Sequence, residues 1–152
     1  MNLDRGTAVI GPVLVIGTGL IGTSIALALK RAGVEVFLKD TDPSQLATAM
    51  AAGAGLVFQE EVIPKLVVVA VPPRYAGGVL AQASERFSEA TITDVTSVKA
   101  QVLADAVDQG ADPRRLIGGH PMAGREVAGA AGARGDLLDD RLWVLTPSEL
   151  TK

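Results

Sequence analysis

"VLVIGTGLIGTSIALALKRAG", residues 13–33, decides the fold, and two readings compete for it. From Gly6 to Leu29 no side chain is charged, a run of 24 residues that by length alone would cross a bilayer. Its content argues against an anchor. Gly6, Gly11, Gly17, Gly19 and Gly22, together with Pro12, Thr18, Thr23 and Ser24, lower its apolar character and interrupt a continuous helix. A secretory leader fits no better, because "MNLDR" carries one acid against one base and "ALA" at 26–28 lies inside a helical pattern.

The alternative is a buried parallel strand that turns into a helix. "VLVIG" is a short run rich in β-branched residues, as a strand covered on both faces should be. A helix from Leu20 to Ala32 follows and ends at Gly33, the residue type that most often closes a helix in the left-handed conformation. Between them lies "GTGLIG". Gly17 allows a tight turn, Gly19 lets backbone approach a pyrophosphate, and Gly22 lets helix pack close to strand, while the helix start, with Leu20 and Ile21, offers amide donors to phosphate. Charge is absent from the segment because it is core plus phosphate cradle.

Composition bounds what surrounds it. With 152 residues, 48% hydrophobic and 20% charged, the chain is long enough for one sizeable core, and one domain is expected, over 12–147 after a lead-in of 1–11. A net charge of -3 gives no electrostatic footprint for nucleic acid or an anionic membrane, so a small-molecule partner is expected. The absence of cysteine excludes disulfides and thiolate metal sites; no metal is expected, and a cytoplasmic location fits.

Downstream the alternation continues. "VEVFLKD" is a second strand ending in Asp40, which lies 18 residues after Gly22, near the spacing at which an acid binds the adenine ribose hydroxyls. No Arg follows it in "DTDPSQL" to hold a 2'-phosphate, so NAD is the expected cofactor; the competing reading is that Asp40 only ends a strand and Asp42 caps the helix at Pro43. A short edge strand is expected at Leu56–Gln59 with no full helix after it. "KLVVVAVPP" gives another strand, with Val71 and Pro72 at its ligand end. Helices are expected from Arg74 to Phe87 and over "SVKAQVLADAVDQG", and strands at "TITDV", "LIGGH" and "LWVLT". The whole is an α/β, Rossmann-like, doubly wound and mostly parallel sheet.

Chemistry in such sheets collects beyond the carboxyl ends of the strands. His120, the sole histidine, follows one strand and precedes Pro121, which favours an extended backbone there; it is read either as a structural imidazole or as the base a dehydrogenase needs for a substrate hydroxyl. Ser97 is read either as a helix N-cap or as a hydroxyl that orients histidine or substrate. Lys99 is a candidate for neutralising a substrate carboxylate, against the reading of a solvated side chain in a first helical turn.

These pieces resemble a known family. "VLVIGTGLIGTSIALALKRAG", "FLKDTDP", "VVVAVPP", "TDVTSVKA" and "GGHPMAGRE" followed by "DRLWVLTP" look like the cofactor-binding domain of the prephenate/arogenate dehydrogenases, over residue 12 to Pro147. The resemblance implies that His120 accepts a hydrogen bond from the substrate's ring hydroxyl and that Ser97 orients it and the nicotinamide, with Lys99 and Gly124 toward the substrate. It implies NAD-dependent oxidative decarboxylation of prephenate to 4-hydroxyphenylpyruvate, or of arogenate to tyrosine. It also implies a helical domain after the tail at 148–152, which would form a homodimer and supply cations to the substrate. Arg125 and Val127 depart from the family's usual small polar residue and Lys. Two other classes stand beside this reading: a different nicotinamide enzyme, such as an amino-substituted prephenate or a β-hydroxyacid dehydrogenase, and a non-catalytic NAD-binding module.

Overall fold

The computed structural model describes residues 11–123 and 128–151. Seven strands form one sheet: β1 (Val13–Ile16), β2 (Val36–Lys39), β3 (Leu56–Val57), β4 (Leu66–Val69), β5 (Thr91–Asp94), β6 (Leu116–Pro121) and β7 (Trp143–Thr146). Four helices connect them: α1 (Leu20–Arg31), α2 (Pro43–Ala51), α3 (Pro73–Arg86) and α4 (Lys99–Asp108). The strand order is β3-β2-β1-β4-β5-β6-β7. All pairings are parallel except β6 with β7, where His120 faces Val144 and Pro121 faces Trp143.

The alternation of side chains along each strand divides the core into two layers. Val13 and Val15 of β1, Val36 and Leu38 of β2 and Val68 of β4 pack with Ile25, Ala26 and Ala49 from α1 and α2. Leu14, Val67, Val69 and Ile92 point the other way, onto Ala76, Leu80, Val102 and Ala106 from α3 and α4. β1 is sealed on both faces, with Val13, Leu14 and Val15 all at 0% exposure. Each such side chain contributes about 1.5–3 kcal/mol relative to leaving it in water, and a charge there would forfeit more than it gained. This is the physical reason for the uncharged stretch.

The expected elements occur with small differences at their ends. α1 stops at Arg31, and Gly33 follows with φ of 83°. The edge strand is only Leu56–Val57, exposed, and no helix lies between it and β4. α4 begins at Lys99, two residues later than the pattern that starts at Ser97. β7 runs against its neighbour, a direction that strand composition does not encode.

Candidate functional site

The glycine loop sits at the carboxyl end of β1, and its three glycines do three different things. Gly17 has φ of 100°, and a Cβ there would lie 2.4 Å from the Ala70 carbonyl oxygen. A Cβ on Gly22 would come within 1.9 Å of the Gly17 carbonyl oxygen, so the close seating of α1 on the loop requires its absence. Gly19 meets nothing within 4 Å. The one glycine that packing does not demand is therefore the one facing open space, where a side chain would fill a cradle beside the start of α1. That helix starts with Gly19 at its N-cap, no side-chain cap and no acid in its first turn. α2 differs: Asp42 accepts from the amides of Ser44 at 2.9 Å and Gln45 at 3.3 Å, and Pro43 occupies its first turn. The N-terminal amides and dipole of α1 are left for an anion.

Three cavities with shared lining residues follow the carboxyl edge of the sheet. One of about 490 Å³ is lined by Gly19, Leu20, Ile21, Val71, Pro72 and Ser97. A second, of about 560 Å³, takes in Gly17, Gly19, Asp40, Val71, Pro72 and Tyr75. A third, of about 240 Å³, reaches outward past Asp40 to Lys39, Gln82 and Arg86. The trough thus brings the expected cofactor residues together, with Ser97 at one end and Asp40 toward the other; Gly22 is buried behind it.

Asp40 follows β2. Its Oδ2 accepts from the Thr18 amide and the Thr18 hydroxyl, both at 2.7 Å, and its Oδ1 accepts from the Asp42 amide at 2.8 Å. Partial burial pushes the carboxyl pKa up, but the donors on Asp42, Thr18 and Thr41 outweigh it and hold the group below its ordinary value. It stays ionised at neutral pH. Asp42 does cap α2, so the capping function falls to Asp42 and leaves Asp40 free of it.

Past β5, Ser97 is exposed on the turn before α4. It does not cap that helix: Val98 holds the N-cap position, with no side-chain bond. Beneath the turn lies a residue that sequence reasoning did not single out, Asp94, at 0% exposure. Its Oδ2 accepts from the Thr96 amide at 3.1 Å and from the Thr96 hydroxyl, and its Oδ1 accepts from the Gly119 amide at 3.1 Å. The Lys99 ammonium pairs with the same carboxylate. Burial lowers the pKa of Lys99, opposed by Asp94. Lys99 is thus not the solvated side chain of a first helical turn; its charge compensates a buried acid.

His120 comes directly after Gly119 on β6, half-buried, and among the described residues no hydrogen bond involves its imidazole. It does not line the three cavities, and it lies one strand beyond Ser97. The two are connected through Asp94, which holds the Ser97 turn by one oxygen and the residue before His120 by the other. Gly118 and Gly119 allow this closeness: a Cβ on Gly118 would lie 2.3 Å from Thr146 Oγ1, and one on Gly119 would lie 2.7 Å from the Asp94 carbonyl oxygen and 2.9 Å from Trp143 Nε1. Paired glycines inside a strand pattern were the available signal. Gly124, with Arg125 and Val127, lies outside the described residues.

Residues 25–152 match the family profile described as prephenate dehydrogenase, nucleotide-binding domain. The chain is 42% identical over 135 residues to a probable prephenate dehydrogenase, NovF, of Streptomyces niveus, covering 89% of this chain and 37% of that protein. Among solved structures it is similar to a prephenate dehydrogenase from A. aeolicus in complex with hydroxyphenyl propionate and NAD+, with a TM-score of 0.85, 27% identity, and coverage of 97% of this chain and 54% of that one. It is similar also to a Synechocystis arogenate dehydrogenase, with a TM-score of 0.81, 29% identity, and coverage of 92% and 51%. The chain spans about two fifths of the length of the curated relatives it matches.

Proposed function

The chain belongs to the prephenate dehydrogenase family through its nucleotide-binding domain, and from that premise we propose that it is the cofactor-binding part of an NAD-dependent enzyme that oxidatively decarboxylates prephenate to 4-hydroxyphenylpyruvate. The observation that carries the proposal is the trough: a glycine cradle open at Gly19, an ionised Asp40 to one side and Ser97 to the other lie along one sheet edge.

These residues fit a dinucleotide. The first amides of α1 would hold its pyrophosphate, Asp40 its adenine ribose, and Leu20, Ile21, Val71 and Pro72 would wall the nicotinamide end. When bound, NAD supplies a hydride acceptor. The hydride leaves the ring carbon bearing the hydroxyl, the bond to the departing carboxylate breaks to give CO2, and its electron pair enters the ring, which becomes aromatic. The hydroxyl keeps its proton in the net reaction. His120 accepts a hydrogen bond from that hydroxyl while positive charge develops on its oxygen, and Ser97 orients the hydroxyl and the nicotinamide. In this reading Gly124 serves the substrate, and Lys99 acts by supporting the Ser97 turn through Asp94.

The same proposal carries a homodimer in the full-length context and a cytoplasmic location, with a small molecule as partner rather than nucleic acid or a membrane. Among the described residues no helix is long and apolar enough to cross a membrane.

NADH formation from NAD and prephenate, with arogenate in parallel, tests the reading. In His120→Asn, turnover is expected to fall by about 100- to 10,000-fold while NAD still binds. Preference for arogenate would move the substrate and keep the site. NAD binding without turnover assigns the substrate half to residues outside this chain, and a failure to bind NAD overturns the proposal.

A further inference from the structure

The fingerprint that fixes Gly17, Gly19 and Gly22 leaves the residue between the first two unspecified. Here it is Thr18, and its side chain is fully buried. Burying a hydroxyl in a loop of glycines has a cost unless the hydroxyl is bonded, and this one is: it donates to Asp40 Oδ2, beside the donation from its own amide. Two donors from one residue saturate one oxygen of the carboxylate. Together with the Asp42 amide on Oδ1, they fix the side-chain torsions of Asp40. Oδ1 keeps acceptor capacity beyond the Asp42 amide, and Asp40 lines two of the cavities.

Cations wait at the same end. Lys39 and Arg86 line the outer cavity with Asp40. Arg86 is paired with Glu60 and lies over the rings of Phe58 and Phe87, 5.1 and 5.2 Å from their centroids; Lys39 lies 5.9 Å from the Phe58 centroid. A 2'-phosphate would find two positive groups there if the Asp40 carboxylate could swing aside.

We propose that Thr18 is the positioning residue that sets the choice between NAD and NADP, by locking one Asp40 oxygen to the glycine loop so that the other meets the ribose hydroxyls and its charge repels a 2'-phosphate. The inference rests on the NAD-binding reading above. Recognition of the ribose is then through Oδ1, and selectivity depends on a hydroxyl that never touches the ligand.

The test is direct binding of NADH and NADPH to the full 152-residue chain, followed by fluorescence, for the parent and for Thr18→Val, Thr18→Ala and Thr18→Ser. Valine replaces the hydroxyl by a methyl of the same shape; alanine removes it without crowding the carboxylate. In both, NADH affinity is expected to fall about tenfold while NADPH affinity holds or rises, and serine is expected to restore the parent ratio. Equal losses for the two nucleotides, an unchanged ratio, or a serine variant that behaves like valine would overturn the proposal. So would unfolding of both valine and alanine variants, since the hydroxyl would then serve the fold rather than the choice. A parent chain that binds neither nucleotide counts instead against the NAD-binding reading.

Discussion

Asp40 and Asp94 are built alike and used differently. Each carboxylate closes or follows a parallel strand, and each accepts, on Oδ2, the amide and the hydroxyl of a threonine: Thr18 for Asp40, Thr96 for Asp94. The second oxygen separates them. Oδ1 of Asp40 accepts from the Asp42 amide on a residue that lines two cavities, whereas Oδ1 of Asp94 is closed off by the Gly119 amide, and a lysine ammonium completes the shell. One acid is half in water and available; the other is fully buried and spent on joining β5 to β6. The same residue type is therefore left open, as the proposed recognition role needs, or closed into the architecture, according to what is packed over it.

The comparison is broken most severely at the sealed acid. Asp94→Asn leaves the Lys99 ammonium without its partner in a largely dry site and is expected to cost about 3–5 kcal/mol in denaturant unfolding. Adding Lys99→Met should recover much of that loss; no recovery would mean the charge pair is not what holds the region. Gly119→Ala attacks the same junction from the other strand by driving a methyl into the Asp94 carbonyl and the Trp143 indole, and about 1–3 kcal/mol of destabilisation is expected by the same measurement.

At the open acid, effects on stability should be smaller. Asp40→Asn is expected to cost no more than about 1 kcal/mol at neutral pH. Because the folded pKa of Asp40 lies below its ordinary value of 3.8, its contribution is present above that value and lost as the pH falls through the folded one. The difference in Tm between parent and Asp40→Asn should therefore vanish in acid; a difference that persists would show that its bonds do not depend on ionisation. Smallest of all is Ser97→Ala. An N-cap serine would cost about 1 kcal/mol, but this one caps nothing, and a change within about 0.5 kcal/mol is expected in the unfolding curve.

Legibility in the sequence followed the same division. The glycine loop, β1, α1 and Asp40 lie within 28 residues, from 13 to 40, and local spacing with β-branched content was enough to order them. The Asp94 junction brings together residues 25 apart through a bond to backbone. A pattern that reads side chains along one segment sees Thr96, Ser97 and Lys99 as a helix start and misses the acid beneath them. The direction of β7 was hidden for a related reason: it is a property of its pairing with β6, not of "LWVLT" itself.

The order of the strands also makes the sheet a ruler. From β2, which delivers Asp40, to β5, which delivers Ser97, the sheet passes through β1 and β4. Three ladder spacings amount to roughly 14 Å, and β6 with His120 adds roughly 5 Å more. On the function proposed above, a mononucleotide held at Asp40 would stop short of Ser97. On the same proposal a molecule two nucleotides long would span the marks, and length itself would become a criterion of selection, set by the backbone ladder. Titration with adenosine monophosphate should perturb NMR signals of Thr18 and Asp40 and leave those of Ser97 in place, whereas the dinucleotide should move all three.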